Sequence, residues 1–222
     1  SKEIMMHNIE AKSYDASYRR INALNRIVQG DYKIIVTSAD ALVQKNVDKE
    51  YFSQCALKLA VGDRVDLTGL AQHLVSIGYE RVDVVEGIGQ FAVRGGIVDL
   101  FSISSESAVR IELFDDEIDS VRSFDVYSQR SVEPLESIMI IPAREVIYSK
   151  DKRDSIIKHI KDDLKKYIHK TKSNKEIVEN ITEGLQSDIE KLESHYYFAG
   201  MDRLTPYILK DPSTIIDYLD ED

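Results

Sequence analysis

The sequence predicts an α+β protein: a small, mostly antiparallel-sheet domain set into part of an α/β layer, with a helical C-terminal part. Three observations predict it. Apolar and polar residues alternate at period two in the stretch from Glu86 to Arg130, the mark of half-buried strands. A short apolar run, Lys33–Thr37 (KIIVT), stands between two helical patterns, as in a buried parallel strand. From Asp151 onward the apolar spacing changes to that of helices.

The elements follow in order. Tyr14–Val28 has helical spacing through Tyr18, Ile21, Leu24 and Val28, and Gly30-Asp31 is a turn. After the Lys33–Thr37 run, Ser38–Lys45 begins a helix with Ser38 as its N-cap. Asp66–Ile77 reads as a helix with the stripe Leu67, Leu70, Leu74 and Ile77, stopped by Gly78. Val82–Val85 reads as a strand. Three more follow at Gln90–Ile103, Val109–Phe114 and Ile118–Asp125, joined by turns at Ser102–Ser107 and Asp115–Glu117. Ser137–Ile141 is a last strand, closed by Pro142. The helix Asp151–Lys170 carries Ile156, Ile157, Ile160, Leu164 and Ile168. The next, capped by Ser173, carries Ile177, Ile181, Leu185, Ile189 and Leu192. Tyr196–Asp222 reads as irregular, punctuated by Pro206 and Pro212. The domain boundaries are therefore placed at 1–55, 56–142 and 143–222.

Composition narrows the function classes. The 222 residues include 43% hydrophobic side chains, enough for a substantial core. No apolar run approaches the roughly 18 residues that span a bilayer, so no membrane partner is expected. The chain starts with Ser1 rather than Met, which suggests a segment of a longer protein. A single cysteine, Cys55, excludes an internal disulfide and fits a reducing, cytoplasmic setting. Its apolar neighbours suit a small buried residue rather than a nucleophile. Net charge is −10, spread unevenly. Residues 56–142 hold 7 basic and 15 acidic side chains, a net of −8. So acidic a region argues against a broad nucleic-acid footprint. Its isolated arginines suit pairing with a protein partner.

Catalytic and cofactor motifs are mostly missing. No G-x-x-x-x-G-K-[ST] loop is present, so no cofactor or nucleotide of that class is expected. Gly87-Ile88-Gly89 precedes a strand and reads as a turn. Asp115-Asp116-Glu117 with Asp119 resembles an acidic metal cluster or a helicase DE box, but it lacks calcium-loop spacing and fits a tight turn. His7, His73, His159, His169 and His195 lack metal-ligand spacing, so neither catalytic nor metal residues are assigned. The basic stretch Lys150–Lys172 could contact DNA, although its interleaved acids fit a solvated helix face.

The informative positions lie on the strands. Val109, Ile111 and Leu113 point to one face; Arg110, Glu112 and Phe114 point to the other. An aromatic beside an arginine on an outer face suits a binding surface. The other reading packs Phe114 under a loop or helix. Arg94-Gly95-Gly96 puts two glycines where a strand must bend or be closely approached. Arg94 then either shares the outer surface with Arg110 and Phe114, or ties down a carboxylate such as Glu112.

The stretches GYERVDVVEGIGQFAVRGGIVDLF, VRIELFDDEIDSVRSFDVYSQRS and IIPARE resemble the N-terminal, UvrB-homologous module of the bacterial transcription-repair coupling factors (Mfd). Weaker similarity reaches both ends. The resemblance implies that the flanks belong to a degenerate RecA-like domain, split by the inserted middle domain. It implies a non-catalytic adaptor that recruits UvrA in transcription-coupled nucleotide excision repair. Arg94, Arg110 and Phe114 match the family's UvrA-contacting positions. Contacts with RNA polymerase and duplex DNA would lie in modules absent from this chain, as would the C-terminal domain that masks the UvrA surface. The rival reading is a UvrB-type or helicase fragment. The FDVYSQRS segment, where UvrB-like chains are close to FDPLTG, favours the coupling factor. So does the absence of an aromatic hairpin before Lys33–Thr37.

Overall fold

The computed structural model describes residues 15–170, 175–194, 197–198, 200–209 and 212–219. They fall into two compact units, one holding 15–147 with 212–219 and the other 148–209. Together they make a mixed α+β protein whose main sheet is mostly antiparallel.

The first unit opens with helix α1 (Asp15–Val28), whose Ile21, Leu24 and Ile27 are buried. Tyr14, expected to start this helix, lies outside the described residues. The run Lys33–Thr37 is not a strand. It has no ladder partner among the described residues, and Ile34 and Val36 are exposed. An apolar run becomes a strand only when another strand accepts its hydrogen bonds. Helix α2 (Ala39–Leu42) is shorter than expected, but Ser38 caps it by accepting from the Ala41 N–H. Helix α3 (Lys49–Cys55), capped by Asp48, has too few apolar positions to show a period. Cys55 at its end is buried, and burial raises its thiol pKa, as suits an inert packing residue.

Strand β1 (Leu57–Ala60) pairs antiparallel with β8 (Ser137–Ile140) in a two-stranded sheet. Between them lies helix α4 (Leu67–Ser76), where Asp66 accepts from the Thr68 and Gly69 N–H groups. Gly78 ends it with φ +95, the left-handed stop expected there. The main sheet has six strands in sequence order: β2 (Glu80–Arg81), β3 (Gln90–Arg94), β4 (Ile97–Leu100), β5 (Ala108–Phe114), β6 (Glu117–Phe124) and β7 (Ser131–Leu135). Only β2 and β3 run parallel. The strand expected at Val82–Val85 lies earlier, at β2. The single strand expected over Gln90–Ile103 is a hairpin. It turns at Gly95, whose φ of +60 is the conformation that favours glycine in a two-residue turn.

One face of this sheet is core. Phe91, Val98, Leu100, Val109, Ile111, Val121 and Ile118 are all buried. The opposite face carries a small apolar cluster at one end, made by Val85, Ala92, Ala108 and Phe124. The rest of that face is mostly polar, with Ile97 and Phe114 among its apolar members. Residues 212–219 belong to the same unit: Ser213 bridges Asn46, and the buried Tyr218 hydroxyl donates to the Val47 carbonyl at 2.7 Å.

The second unit holds helices α5 (Arg153–Lys170), α6 (Lys175–Ser194) and α7 (Thr205–Ile208). Ile156, Ile157, Ile160 and Leu164 of α5 are buried, as are Ile189 and Leu192 of α6. Lys158, Lys161, Lys165 and Lys166 face solvent, which is the solvated face their interleaved acids suggest. Ser173 and Tyr196 lie outside the described residues. Buried Asp188 is paired with Arg203 through Nε at 2.7 Å and through Nη2.

Candidate functional site

The polar face of the main sheet is organised by Asp99. This residue interrupts the apolar run Ile97–Leu100 on β4 and is buried. A buried carboxylate must be paired and hydrogen-bonded to be tolerated. Its strand neighbours are Ala92 on β3 and Arg110 on β5. Small Ala92 leaves room for Arg94 to reach the carboxylate on one side, and Arg110 meets it on the other. Arg110 donates from Nε to Oδ1 at 2.6 Å and from Nη2 to Oδ2 at 2.9 Å, a two-point grip. Arg94 donates from Nη2 to the same Oδ2 at 2.7 Å. These bonds hold the Arg110 guanidinium above its ordinary pKa, with burial opposing them.

The turn that brings Arg94 to this place depends on glycine. A Cβ on Gly96 would come within 2.9 Å of the Leu113 carbonyl oxygen, a backbone atom that cannot move aside. The second glycine of the RGG motif therefore lets β3–β4 sit close against β5.

Arg94, Arg110 and Phe114 emerge on the same side of the sheet. Arg94 and Arg110 meet one carboxylate. Leu113 pairs with buried Ile118, so Phe114, the next residue, stands on the other side. Phe114 is 79% exposed and packs under neither loop nor helix. The carboxylate that Arg94 meets is Asp99, while Glu112 accepts from the Ser120 hydroxyl at 2.9 Å. The Arg94 and Arg110 side chains differ in access, at 52% and 16% exposed. Arg122 lies directly opposite Arg110 on β6. It is exposed and has no carboxylate partner among the described residues. Like charges opposite one another weaken a sheet, so this pairing is not explained by stability. Two guanidinium groups share the Asp99 carboxylate and a third, Arg122, stands on the next strand, so this face holds three arginines against Asp99 and Glu112, a local excess of positive charge within an acidic region.

Sequence reading missed Asp99, Arg122 and Phe124 as members of this face. Only Asp99 left a signal, an acid inside an otherwise apolar strand. The acidic turn is structural. Asp115 and Asp116 join β5 to β6, Asp115 takes φ +59, and Asp116 faces Arg64 at 3.4 Å. Among the described residues no group of three or more His, Cys, Asp or Glu could hold a metal ion. None of their helices is long and apolar enough to cross a membrane. What the face offers chemically is fixed positive charge beside an exposed ring, an arrangement for binding.

Comparison with known proteins agrees with a binding module. The UvrB interaction domain family matches residues 57–146, which contain the whole six-stranded sheet. The chain is 32% identical over 216 residues to a transcription-repair-coupling factor of Bacillus subtilis (strain 168), covering 97% of this chain and 18% of the relative. It is 34% identical over 224 residues to those of Staphylococcus aureus strains bovine RF122 / ET3-1 and MRSA252, covering 100% of this chain and 19% of each. The chain thus spans less than a fifth of the length of these curated relatives. Residues 57–146 thus match the UvrB interaction domain family, within a chain that is similar along its length to a segment of transcription-repair-coupling factors.

Proposed function

We propose that this chain is the recruiting segment of a transcription-repair-coupling factor, and that the polar face of its main sheet docks the repair protein UvrA. It acts by binding and performs no catalysis. The carrying observation is the buried carboxylate of Asp99, which fixes Arg94 and Arg110 on an open face that also bears exposed Phe114. Arginine and aromatic side chains dominate interface energetics, and preorganised ones cost least to bind. Arg94 presents its half-exposed guanidinium to a carboxylate of UvrA, Phe114 fills an apolar recess, and Arg110 holds the array in place. The acidic setting rejects nucleic acid and leaves the patch to an acidic protein surface. In this reading residues 56–142 are the inserted UvrA-binding domain, and 1–55 with 143–222 are parts of the RecA-like domain that carries it. The longer bacterial protein brings this adaptor, in the cytoplasm, to RNA polymerase stalled on duplex DNA.

The test is a titration of the chain with UvrA. Arg94→Ala and Phe114→Ala should each weaken binding about tenfold or more, the scale of a central anchor. The melting temperature should change little, because Phe114 is exposed and Arg94 is half in water, with Arg110 still paired to Asp99 in its absence. Wild-type affinity in both variants would show that UvrA does not use this face.

A further inference from the structure

The loop between β6 and β7, residues 125–130, lies in the FDVYSQRS segment and is more firmly built than a surface turn requires. Asp125 Oδ1 accepts from the Ser128 N–H at 2.7 Å, and the Asp125 carbonyl accepts from the Gln129 N–H at 2.7 Å. The Asp125 N–H donates to the Arg130 carbonyl at 3.0 Å. Gln129 takes φ +59 without being glycine, a conformation that side chains disfavour. Its amide holds it there, donating to the Val126 carbonyl at 2.7 Å and the Val85 carbonyl at 3.1 Å. Val126 packs on the small cluster of Val85, Ala92, Ala108 and Phe124. Arg110 Nη1 donates to the Gln129 carbonyl at 3.3 Å, so one arginine holds both Asp99 and this loop.

At the tip stands Tyr127, 94% exposed, with no partner for its ring or hydroxyl among the described residues. A single exposed aromatic is ordinary on a protein surface. A strained loop tied at several points, one of them a residue of the docking face, is not an ordinary mount for it.

We propose that Tyr127 is the second aromatic anchor of the docking face, at the opposite end from Phe114. Ala108 pairs with Phe124 at one end of β5, and Phe114 lies at the other. A seven-residue strand rises about 3.3 Å per residue, which sets the two anchors on the order of 20 Å apart. That separation fits within one interface of about 800 Å² per partner. The partner surface this selects is acidic at its centre, to meet Arg94 and Arg122, with an apolar recess on either side. A rigid phenol ring suits such a recess at low entropic cost.

The inference rests on UvrA as the occupant, and the experiment separates the two. UvrA is titrated by calorimetry against the full chain and its Tyr127→Ala, Tyr127→Phe and Phe114→Ala variants, with a thermal melt of each. Tyr127→Ala should lower affinity about tenfold and Tyr127→Phe should stay within about threefold of wild type. The melting temperatures of both should match wild type. If Phe114→Ala weakens binding and Tyr127→Ala does not, the second anchor is wrong while the docking face stands. If Tyr127→Ala lowers the melting temperature together with affinity, the ring serves the fold and the inference falls. If wild type fails to bind UvrA, both readings fall.

Discussion

The guanidinium of Arg110 lies 4.9 Å from the centre of the Phe124 ring while gripping both carboxylate oxygens of Asp99. One side chain thus joins the apolar cluster at one end of the face to the charged array beside it. A cation over an aromatic ring is attracted by the ring's electron-rich face. With so little of Arg110 exposed, its part in the proposed docking face is to position Asp99, and through it Arg94.

Removing the carboxylate charge should therefore be felt in folding. Asp99→Asn leaves Arg110 against a neutral group and is expected to destabilise the protein by about 2 kcal/mol, below the range for fully buried pairs because Arg94 is half in water. Arg94→Ala should cost less than about 1 kcal/mol. Urea unfolding checks both as a shift in midpoint with the slope unchanged. Equal stability of Asp99→Asn and wild type would mean that the array is not held by charge.

Arg122 offers a separate test of the electrostatics. Arg122→Glu should weaken UvrA binding and flatten its dependence on salt, since an attractive cation becomes an anion. The same change places opposite charges across from each other at the Arg110 position, so the melting temperature should hold or rise. Unchanged affinity at low salt would remove Arg122 from the surface.

Glycine substitutions distinguish strain from collision. Gly62 and Gly78 both have positive φ, at +89 and +95. A Cβ at Gly62 meets open space, whereas one at Gly78 falls inside the Arg144 side chain. Gly62→Ala is expected to cost about 1 kcal/mol and Gly78→Ala at least about 2 kcal/mol. Thermal melts should rank them in that order.

Buried Tyr79 predicts an alkaline dependence. Its hydroxyl donates to the Ile141 carbonyl at 3.0 Å, and burial pushes its pKa from 10 up to about 12. The folded state thus favours the neutral phenol. That contribution is fully present below pH 10 and is lost as pH rises through about 12. Tyr79→Phe should be less stable than wild type by about 1 kcal/mol at pH 8, because it strands a buried carbonyl. The gap should narrow between pH 10 and 12, as measured by urea unfolding at each pH. A constant gap would show that the phenol does not ionise on unfolding.

Local chemistry made much of this protein legible from its sequence. Period-two alternation set Arg110 and Phe114 apart from Val109 and Ile111. A side-chain oxygen marked the cap at Ser38, and a glycine marked the stop at Gly78. These signals act over a few residues and survive in any context. Tertiary structure decided the rest. It folded Gln90–Ile103 into a hairpin, left Lys33–Thr37 without a ladder, and gave Arg94 to Asp99 rather than Glu112. It also set Arg122 opposite Arg110 and drew the loop of Tyr127 onto the same face. The physical reason is register. Which residues face one another across strands follows from turn geometry and from burying one whole face of the sheet, and neither is written in any single strand.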